Sequence, residues 1–245
     1  MGSGLKFGCQ PGYIQPLPVG SFAKAVSRCD YNHGYLHQEA RSIFRANAWK
    51  GPRKRLKYTP AKSPRLPVSI RPYHSKLPRL GKDVYVDPAA CLIGDVVMGD
   101  QCSAWPGAVI RGDVHRIRIG KRTSVQDNSV LHVTHDGPHN PGGYPLIIGD
   151  EVTIGHSVTL HGCTLGNRIL IGIASVVLDG VVIEDEVVIG AGSLVTPGKV
   201  LKSGQLYVGR PARPVRALND RERSFFSYTA AKYVELSQEY LSEKA

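Results

Sequence analysis

Three histidines carry the clearest chemical pattern in this 245-residue sequence. His132, His156 and His161 each lie within two residues of an aliphatic position in a six-residue repeat, so regular repeats carry them. Three imidazoles with one open coordination position form the ligand set of a catalytic zinc site. The stretch from 129 to 162 is therefore predicted to bind a metal. Zinc is expected, with iron(II) or cobalt(II) as alternatives.

Three further histidines lie close by in the sequence but outside this pattern. His135 and His139 belong to an irregular loop rich in glycine and proline between two repeats, and His115 precedes it. For these three residues we expect solvent exposure or a supporting role beside the ligands, and not direct ligation.

The elements that must position the histidines follow a period of six. Such a period excludes an α-helix, whose apolar face recurs every three to four residues. It is typical of a coil of three short strands, in which aliphatic side chains fill the interior and Gly, Asn or Asp forms the corners. Seventeen positions follow it in four in-phase runs: Val86, Leu92, Met98, Ala104 and Ile110; Ile119, Val125 and Leu131; Ile148, Ile154 and Leu160; Leu165, Ile171, Val177, Ile183, Ile189 and Val195.

The repeat bounds the predicted domains. It begins near Val84 and is predicted to end at Thr196-Pro197-Gly198. With lead-in and exit segments, the β-helix domain spans residues 68–217. Residues 218–245 are predicted to form a C-terminal helix packed on it, with Asn219 or Asp220 as the N-cap.

Residues 1–67 have no sustained period and differ in charge from the rest of the chain. The net charge is +11. Residues 1–70 hold 12 basic and 2 acidic residues, a net of +10, and the other 175 hold 19 and 18, a net of +1. The near-neutral folded part argues against nucleic-acid binding. The extension fits an organellar transit peptide, a disordered basic tail, or upstream sequence that is not translated in the native protein.

The cysteines and the hydropathy indicate the compartment. The five cysteines are odd in number and form no CxxC pair. Cys91, Cys102 and Cys163 fall among small or aliphatic residues, which is typical of reduced, packed thiols. A reducing compartment is therefore expected, namely the cytoplasm, or the mitochondrion if the extension is a transit peptide. No run approaches the roughly 18 apolar residues of a membrane span.

Three motifs connect the chain to a known family. The segments RGDVHRIRIGKRTSVQDNSVLHVTH, IGHSVTLHGCTLGNR and YVGRPARPVR resemble the γ-class carbonic anhydrases, in particular their short bacterial branch of hexapeptide-repeat proteins. The resemblance covers about Ile70 to the C-terminus. It implies an all-β core folded as a left-handed parallel β-helix, against the usual right-handed crossover rule, with a C-terminal α-helix.

The resemblance also implies an assembly and a reaction. In the family, a homotrimer binds each metal with two histidines from one subunit and one from its neighbour. His132 and His161 would then share a chain, and His156 would reach across. A metal-bound hydroxide would attack CO2 to give bicarbonate.

Further residues match the family residue by residue. Gln126 and Asp127 match the pair beside the metal-bound water, where an amide and a carboxylate orient the hydroxide and accept its proton. Arg111 and Asp113 match an ion pair across the subunit interface. Tyr233 aligns with a tyrosine near the substrate pocket, and the neighbouring Tyr228 is the alternative.

Two departures from the family bear on catalysis. The loop HVTHDGPHNPGGYP lacks the glutamate proton shuttle of the archaeal prototype and offers only Asp136 and histidines, and Glu235 replaces an asparagine. Slow hydration is therefore expected.

Two other functions stay open. One is a non-catalytic, metal-stabilised trimeric scaffold or respiratory-complex subunit. The other is a hexapeptide acyltransferase, a class that lacks the three-histidine set.

Overall fold

The period of six corresponds in the structure to stacked coils of three short strands. The computed structural model describes residues 69–243. Strands of successive coils pair in parallel along three faces of a left-handed β-helix, and one α-helix follows. The predicted fold class is confirmed.

One face is an eight-stranded sheet. Its strands pair in parallel except for the last two, which form an antiparallel exit ribbon. The strands are β3 (Tyr85–Val86), β5 (Ser103–Ala104), β7 (Ser124–Val125), β10 (Thr153–Ile154), β13 (Leu170–Ile171), β16 (Val188–Ile189), β19 (Gln205–Gly209) and β20 (Ala212–Ala217).

The second and third faces share one twelve-stranded sheet. Two long strands, β4 (Cys91–Met98) and β6 (Val109–Ile119), run through the corner between these faces and join them. Strands β1 (Ser69–Arg71) and β2 (Arg79–Leu80) pair with β4. The second face continues with β8 (Val130–His132), β11 (Thr159–His161), β14 (Val176–Val177) and β17 (Leu194–Val195). The third continues with β9 (Leu146–Ile148), β12 (Thr164–Leu165), β15 (Val182–Ile183) and β18 (Val200–Leu201).

The core is a column of aliphatic side chains inside the coils. All seventeen predicted positions are buried, and the most exposed of them, Val86, is only 8% exposed. The registers stack equivalent residues of successive coils, for example Val125 on Ile154 and Ile154 on Ile171. Because every coil contributes one inward aliphatic per face, the period of six is sufficient to predict this core.

The predicted end of the repeat at Thr196-Pro197-Gly198 is wrong. At the C-terminal end the period of six continues to Leu201 and Tyr207, which are 4% and 7% exposed. Thr196-Pro197-Gly198 forms a corner between β17 and β18, where Gly198 has a φ of 69°. Pro197-Gly198 is a corner within the repeat and not its end, and an aromatic residue fills the last inward position. At the N-terminal end, β1 and β2 lie in the predicted lead-in segment and pair with β4.

Several corners use residues that the sequence did not lead us to expect. Left-handed backbone occurs at Arg122, Glu151, Arg168 and Glu186, with φ between 53° and 56°. Such a conformation costs a non-glycine residue about 1–2 kcal/mol. Salt bridges of 3.1 Å join Arg122 to Glu151 and Arg168 to Glu186 across successive coils. Exposed pairs are worth up to about 1 kcal/mol, so they offset part of that cost.

A single helix, α1 (Asp220–Glu243), follows the exit ribbon. Its start is a capping box, because the Glu222 amide donates to Asn219 Oδ1 at 2.9 Å and the Asn219 amide donates to Glu222 Oε2 at 3.0 Å. Asn219 is therefore the N-cap. Phe226 is buried, and the Tyr240 ring packs on Tyr85 at a centroid distance of 5.3 Å. Through these contacts the helix packs on the eight-stranded face.

The predicted basic extension, residues 1–67, lies outside the described residues. Within residues 69–243, no helix is both long and apolar enough to cross a membrane. Cys102 and Cys163 are buried in the core, and burial raises the pKa of both thiols.

Candidate metal centre

The β8–β11 register brings two of the three predicted ligands together. His132 and His161 are partners in that register, so their side chains leave the second face one strand apart. His132 Nδ1 and His161 Nε2 face each other at 3.0 Å. Two nitrogens bound to one tetrahedral zinc ion, at about 2.0–2.1 Å each, lie about 3.3 Å apart. The two imidazoles therefore have the spacing of two ligands to one ion.

The outer nitrogen of each ring lies beside a carboxylate. His132 Nε2 is 3.2 Å from Asp113 Oδ1, and His161 Nδ1 is 2.7 Å from Asp179 Oδ1. Carboxylates in this position orient a metal-ligating imidazole and fix its tautomer. The sequence analysis did not single out Asp179, although it follows His161 by 18 residues, which is the length of one three-strand coil.

The third predicted ligand lies elsewhere on the coil. His156 occupies the corner between β10 and β11, at the opposite edge of the second face from His161. Its Nδ1 is 2.8 Å from Asp127 Oδ2, and its side chain is 46% exposed. Within residues 69–243, no three histidine, cysteine or acidic side chains converge on a position that would bind a metal ion. The chain thus presents two candidate ligands at one edge of the face and one at the other.

Gln126, Asp127 and Tyr233 lie near one another on the His156 side. Gln126 follows β7 and is 5% exposed. The pKa of Tyr233 is raised by burial and by the charge of Asp127, while a hydrogen bond with Gln126 acts in the opposite direction. Gln126, His156 and Tyr233 line a groove of about 380 Å³ between the β-helix and α1. Of the two candidate tyrosines, Tyr233 is half-buried and lines this groove, whereas Tyr228 is 58% exposed.

Arg111 and Asp113 form an ion pair within this chain, whereas the family resemblance implies a pair across a subunit interface. Burial acts to raise the pKa of Asp113, but hydrogen bonds from Arg111, the Val114 amide and His132 outweigh it and lower the pKa. Burial lowers the pKa of His132, and Asp113 opposes this change. A lowered pKa favours the neutral imidazole, which is the form that binds metals.

The loop after β8 and the helix α1 hold the other histidine and acidic candidates. His135 and His139 are exposed in the loop after β8. In the same loop, Asp136 Oδ1 accepts the Gly142 amide at 2.7 Å. Glu235 forms a 2.6 Å ion pair with Lys232 on the exposed side of α1.

No protein-family model matches the chain. Known proteins do. Protein YrdA of Escherichia coli is 51% identical over 174 residues, which is 71% of this chain and 95% of that protein. The carbonic anhydrase of Geobacillus kaustophilus is 42% identical over 171 residues, which is 70% of this chain and 90% of that protein. Gamma carbonic anhydrase 1, mitochondrial, of Arabidopsis thaliana is 44% identical over 172 residues, which is 69% of this chain and 62% of that protein.

A solved structure agrees with the fold. The hexapeptide transferase family protein of Anaplasma phagocytophilum has a TM-score of 0.64 and 39% identity, with 71% of this chain and 98% of that chain covered. Fold and repeat define this chain as a left-handed β-helix protein of the hexapeptide-repeat type. With the identities above, the chain belongs to the γ-class carbonic anhydrase family, and the resemblance inferred from the motifs is confirmed.

Proposed function

We propose that this protein hydrates CO2 to bicarbonate at a divalent metal, with zinc as the expected ion, in a homotrimer whose metal sites lie between subunits. The observation that carries the proposal is the imidazole pair of His132 and His161. Their inner nitrogens are 3.0 Å apart and both outer nitrogens lie beside carboxylates. Imidazole also suits iron(II) and cobalt(II), so either ion is compatible with this pair.

The donor set fits a metal that is shared between copies of the chain. Two nitrogens come from one copy, and the exposed His156 of another copy would supply the third. Asp127 supports this role, because a carboxylate at His156 Nδ1 leaves Nε2 as the lone-pair nitrogen that points away. When bound by three imidazoles, the metal lowers the pKa of a water to about 7 and so supplies a nucleophile near neutral pH.

The groove residues give the chain's own contribution to the reaction. The Gln126 amide and the Asp127 carboxylate would orient the attacking water and accept its proton. The Tyr233 hydroxyl is protonated at neutral pH and can donate a hydrogen bond, and burial raises its pKa further. The groove also includes Leu170 and Ile173. These apolar side chains suit CO2 as a substrate.

Metal analysis of the purified protein tests the ligand set. We expect His132→Ala, His156→Ala and His161→Ala each to lose stoichiometric metal, since a two-histidine site loses most of its affinity. His135→Ala and His139→Ala are matched controls that should keep about one metal per chain. The reverse pattern would show that the loop histidines are the ligands.

Light scattering tests the assembly. We expect the wild-type protein to have the mass of a trimer. His156→Ala should weaken the association of the subunits, because this histidine would complete a neighbour's site. A monomer that binds one metal per chain with full affinity would contradict the shared site.

Stopped-flow CO2 hydration by the metal-loaded trimer tests the reaction. The loop offers Asp136 and exposed histidines in place of a glutamate shuttle, so proton removal should depend on buffer. Turnover should rise steeply with imidazole concentration, and Gln126→Ala should lower it at every concentration. No hydration at high buffer would defeat the enzyme proposal and favour a metal-stabilised scaffold. The acyltransferase alternative motivates a parallel assay of acyl transfer from acetyl-CoA, for which we expect no turnover.

A further inference from the structure

Several aspartates of the β-helix share a structural role at the corner between the third and first faces. Asp100, Asp150 and Asp185 each accept a backbone amide of the preceding coil through Oδ1, at 2.9, 2.7 and 2.8 Å. Each lies against a glycine of that coil, where an added Cβ would come within 2.2–2.4 Å of the same oxygen. These carboxylates therefore cap the polypeptide backbone.

Asp179 has the same relation to a glycine but a different use of its oxygens. A Cβ on Gly162 would lie 2.2 Å from Asp179 Oδ1. Yet Oδ1 pairs with His161 Nδ1 at 2.7 Å, and Oδ2 accepts the Thr134 hydroxyl at 2.9 Å. Both oxygens are thus committed to side chains, and one of these side chains is a candidate metal ligand.

Asp179 differs from these capping aspartates in the groups that its oxygens contact. At the corner of Asp185, the Gly166 amide has a backbone partner, the Ile183 carbonyl at 2.8 Å, and the carboxylate accepts the amide of the residue after the glycine. At Gly162 the glycine amide likewise donates to the His132 carbonyl at 3.0 Å, but both Asp179 oxygens contact side chains. The contact with His161 therefore distinguishes this aspartate from the others.

We propose that Asp179 is a positioning residue for His161. Its carboxylate accepts the Nδ1 proton, so that Nε2 carries the lone pair and faces His132 in the orientation required for ligation. Thr134 fixes the second oxygen and so ties the start of the loop after β8 to the ligand pair. This inference rests on the metal centre of the proposed function, but not on the reaction catalysed there.

The contacts around His161 set the expected size of the effect. Loss of a carboxylate beside a metal-ligating imidazole typically lowers metal affinity about 10–100-fold. The Thr134 hydroxyl is 3.5 Å from His161 Nδ1, too far for a good hydrogen bond, so it does not replace Asp179. An asparagine would retain an acceptor oxygen without the charge and should preserve most of the ring orientation.

Zinc affinity, measured by competition with a chromogenic chelator, tests the proposal. We expect Asp179→Ala to bind zinc about 10–100-fold more weakly than the wild type, and Asp179→Asn to show a smaller loss. Asp185→Ala is the matched control, because it removes a carboxylate that lies against a glycine in the same way but contacts no histidine. Its affinity should stay within about two-fold of wild type. Circular dichroism checks that each variant is folded.

A second readout needs no metal. In the metal-free protein labelled with ¹⁵N-histidine, long-range ¹H–¹⁵N NMR should show His161 as the tautomer protonated on Nδ1. Asp179→Asn should keep this tautomer, and Asp179→Ala should show a mixture of both. A purely structural role for Asp179 would leave the tautomer unchanged.

The outcomes separate this inference from the proposed reaction. Wild-type zinc affinity and an unchanged tautomer in Asp179→Ala would overturn it, and so would an equal loss of zinc in Asp185→Ala. A wild-type protein that binds no zinc would overturn it as well. If Asp179→Ala does not fold, Asp179→Asn decides: a loss of zinc affinity larger than that of Asp185→Ala supports the proposal, and wild-type affinity or a mixed tautomer overturns it. The expected zinc and tautomer changes without CO2 hydration would defeat the reaction alone and leave Asp179 as a positioning residue.

Discussion

The substitution Gly162→Ala tests the packing around the imidazole pair. Gly162 directly follows His161 and has a φ of 50°. A Cβ there would lie 2.2 Å from Asp179 Oδ1 and 2.6 Å from Tyr144 Cβ. The added methyl group therefore meets the carboxylate beside His161 on one side and the loop that follows β8 on the other.

These distances determine the expected magnitude. Carbon–oxygen contacts are ordinarily about 3.3 Å or longer, so the carboxylate must retreat by about 1 Å. A retreat of about 1 Å directly away from His161 would lengthen the present 2.7 Å contact beyond hydrogen-bond range. The left-handed backbone costs about 1–2 kcal/mol and overpacking about 1–3 kcal/mol more. We expect a loss of about 2–5 kcal/mol in the free energy of unfolding, together with weaker zinc binding.

Urea denaturation and zinc competition measure the two effects, and Gly198→Ala is the control. Gly198 has a φ of 69°, and an added Cβ there would meet nothing within 4 Å. The free energy of unfolding of Gly198→Ala should fall only by the backbone cost of about 1–2 kcal/mol, and its zinc affinity should be unchanged. Equal losses of stability and of zinc affinity in the two variants would refute the argument from packing.

Three further predictions concern stability and reactivity. Leu160→Ala should lower the free energy of unfolding by about 2–5 kcal/mol in urea denaturation, because this side chain is fully buried between the coils. The Arg216 guanidinium lowers the pKa of Glu222 from 4.5 to about 2. Glu222 therefore contributes stability above pH 4.5 that is lost as the pH falls toward 2. Glu222→Gln should lower the free energy of unfolding by up to about 1 kcal/mol at pH 7, since the pair is partly exposed. The melting temperature of this variant should also fall less than that of the wild type as the pH is lowered. Cys102 and Cys163 should react with a thiol reagent only on unfolding, because burial raises the pKa of both thiols.

The sequence was sufficient for the coils, because their determinants are local. Each strand contributes one inward aliphatic, so the period of six located the core from Val86 to Val195 without knowledge of any long-range contact. The family resemblance grouped His132 with His161 and separated His156 from them. The structure then placed His132 and His161 on paired strands and His156 at a corner. The helix start at Asn219 was among the expected positions because a capping box is itself a local pattern.

Contacts between coils required the tertiary structure. A coil normally spans 18 residues, as from His161 to Asp179, but the loop after β8 lengthens the step from His132 to His161 to 29 residues. Which atoms meet then depends on strand register and side-chain rotation, and neither follows from the period of six. The facing nitrogens of the two rings, the carboxylate of Asp179 and the burial of Tyr233 beside Gln126 were therefore decided only by the tertiary structure. So was the ion pair of Arg111 and Asp113 within one chain, since its geometry depends on how the β6 corner folds.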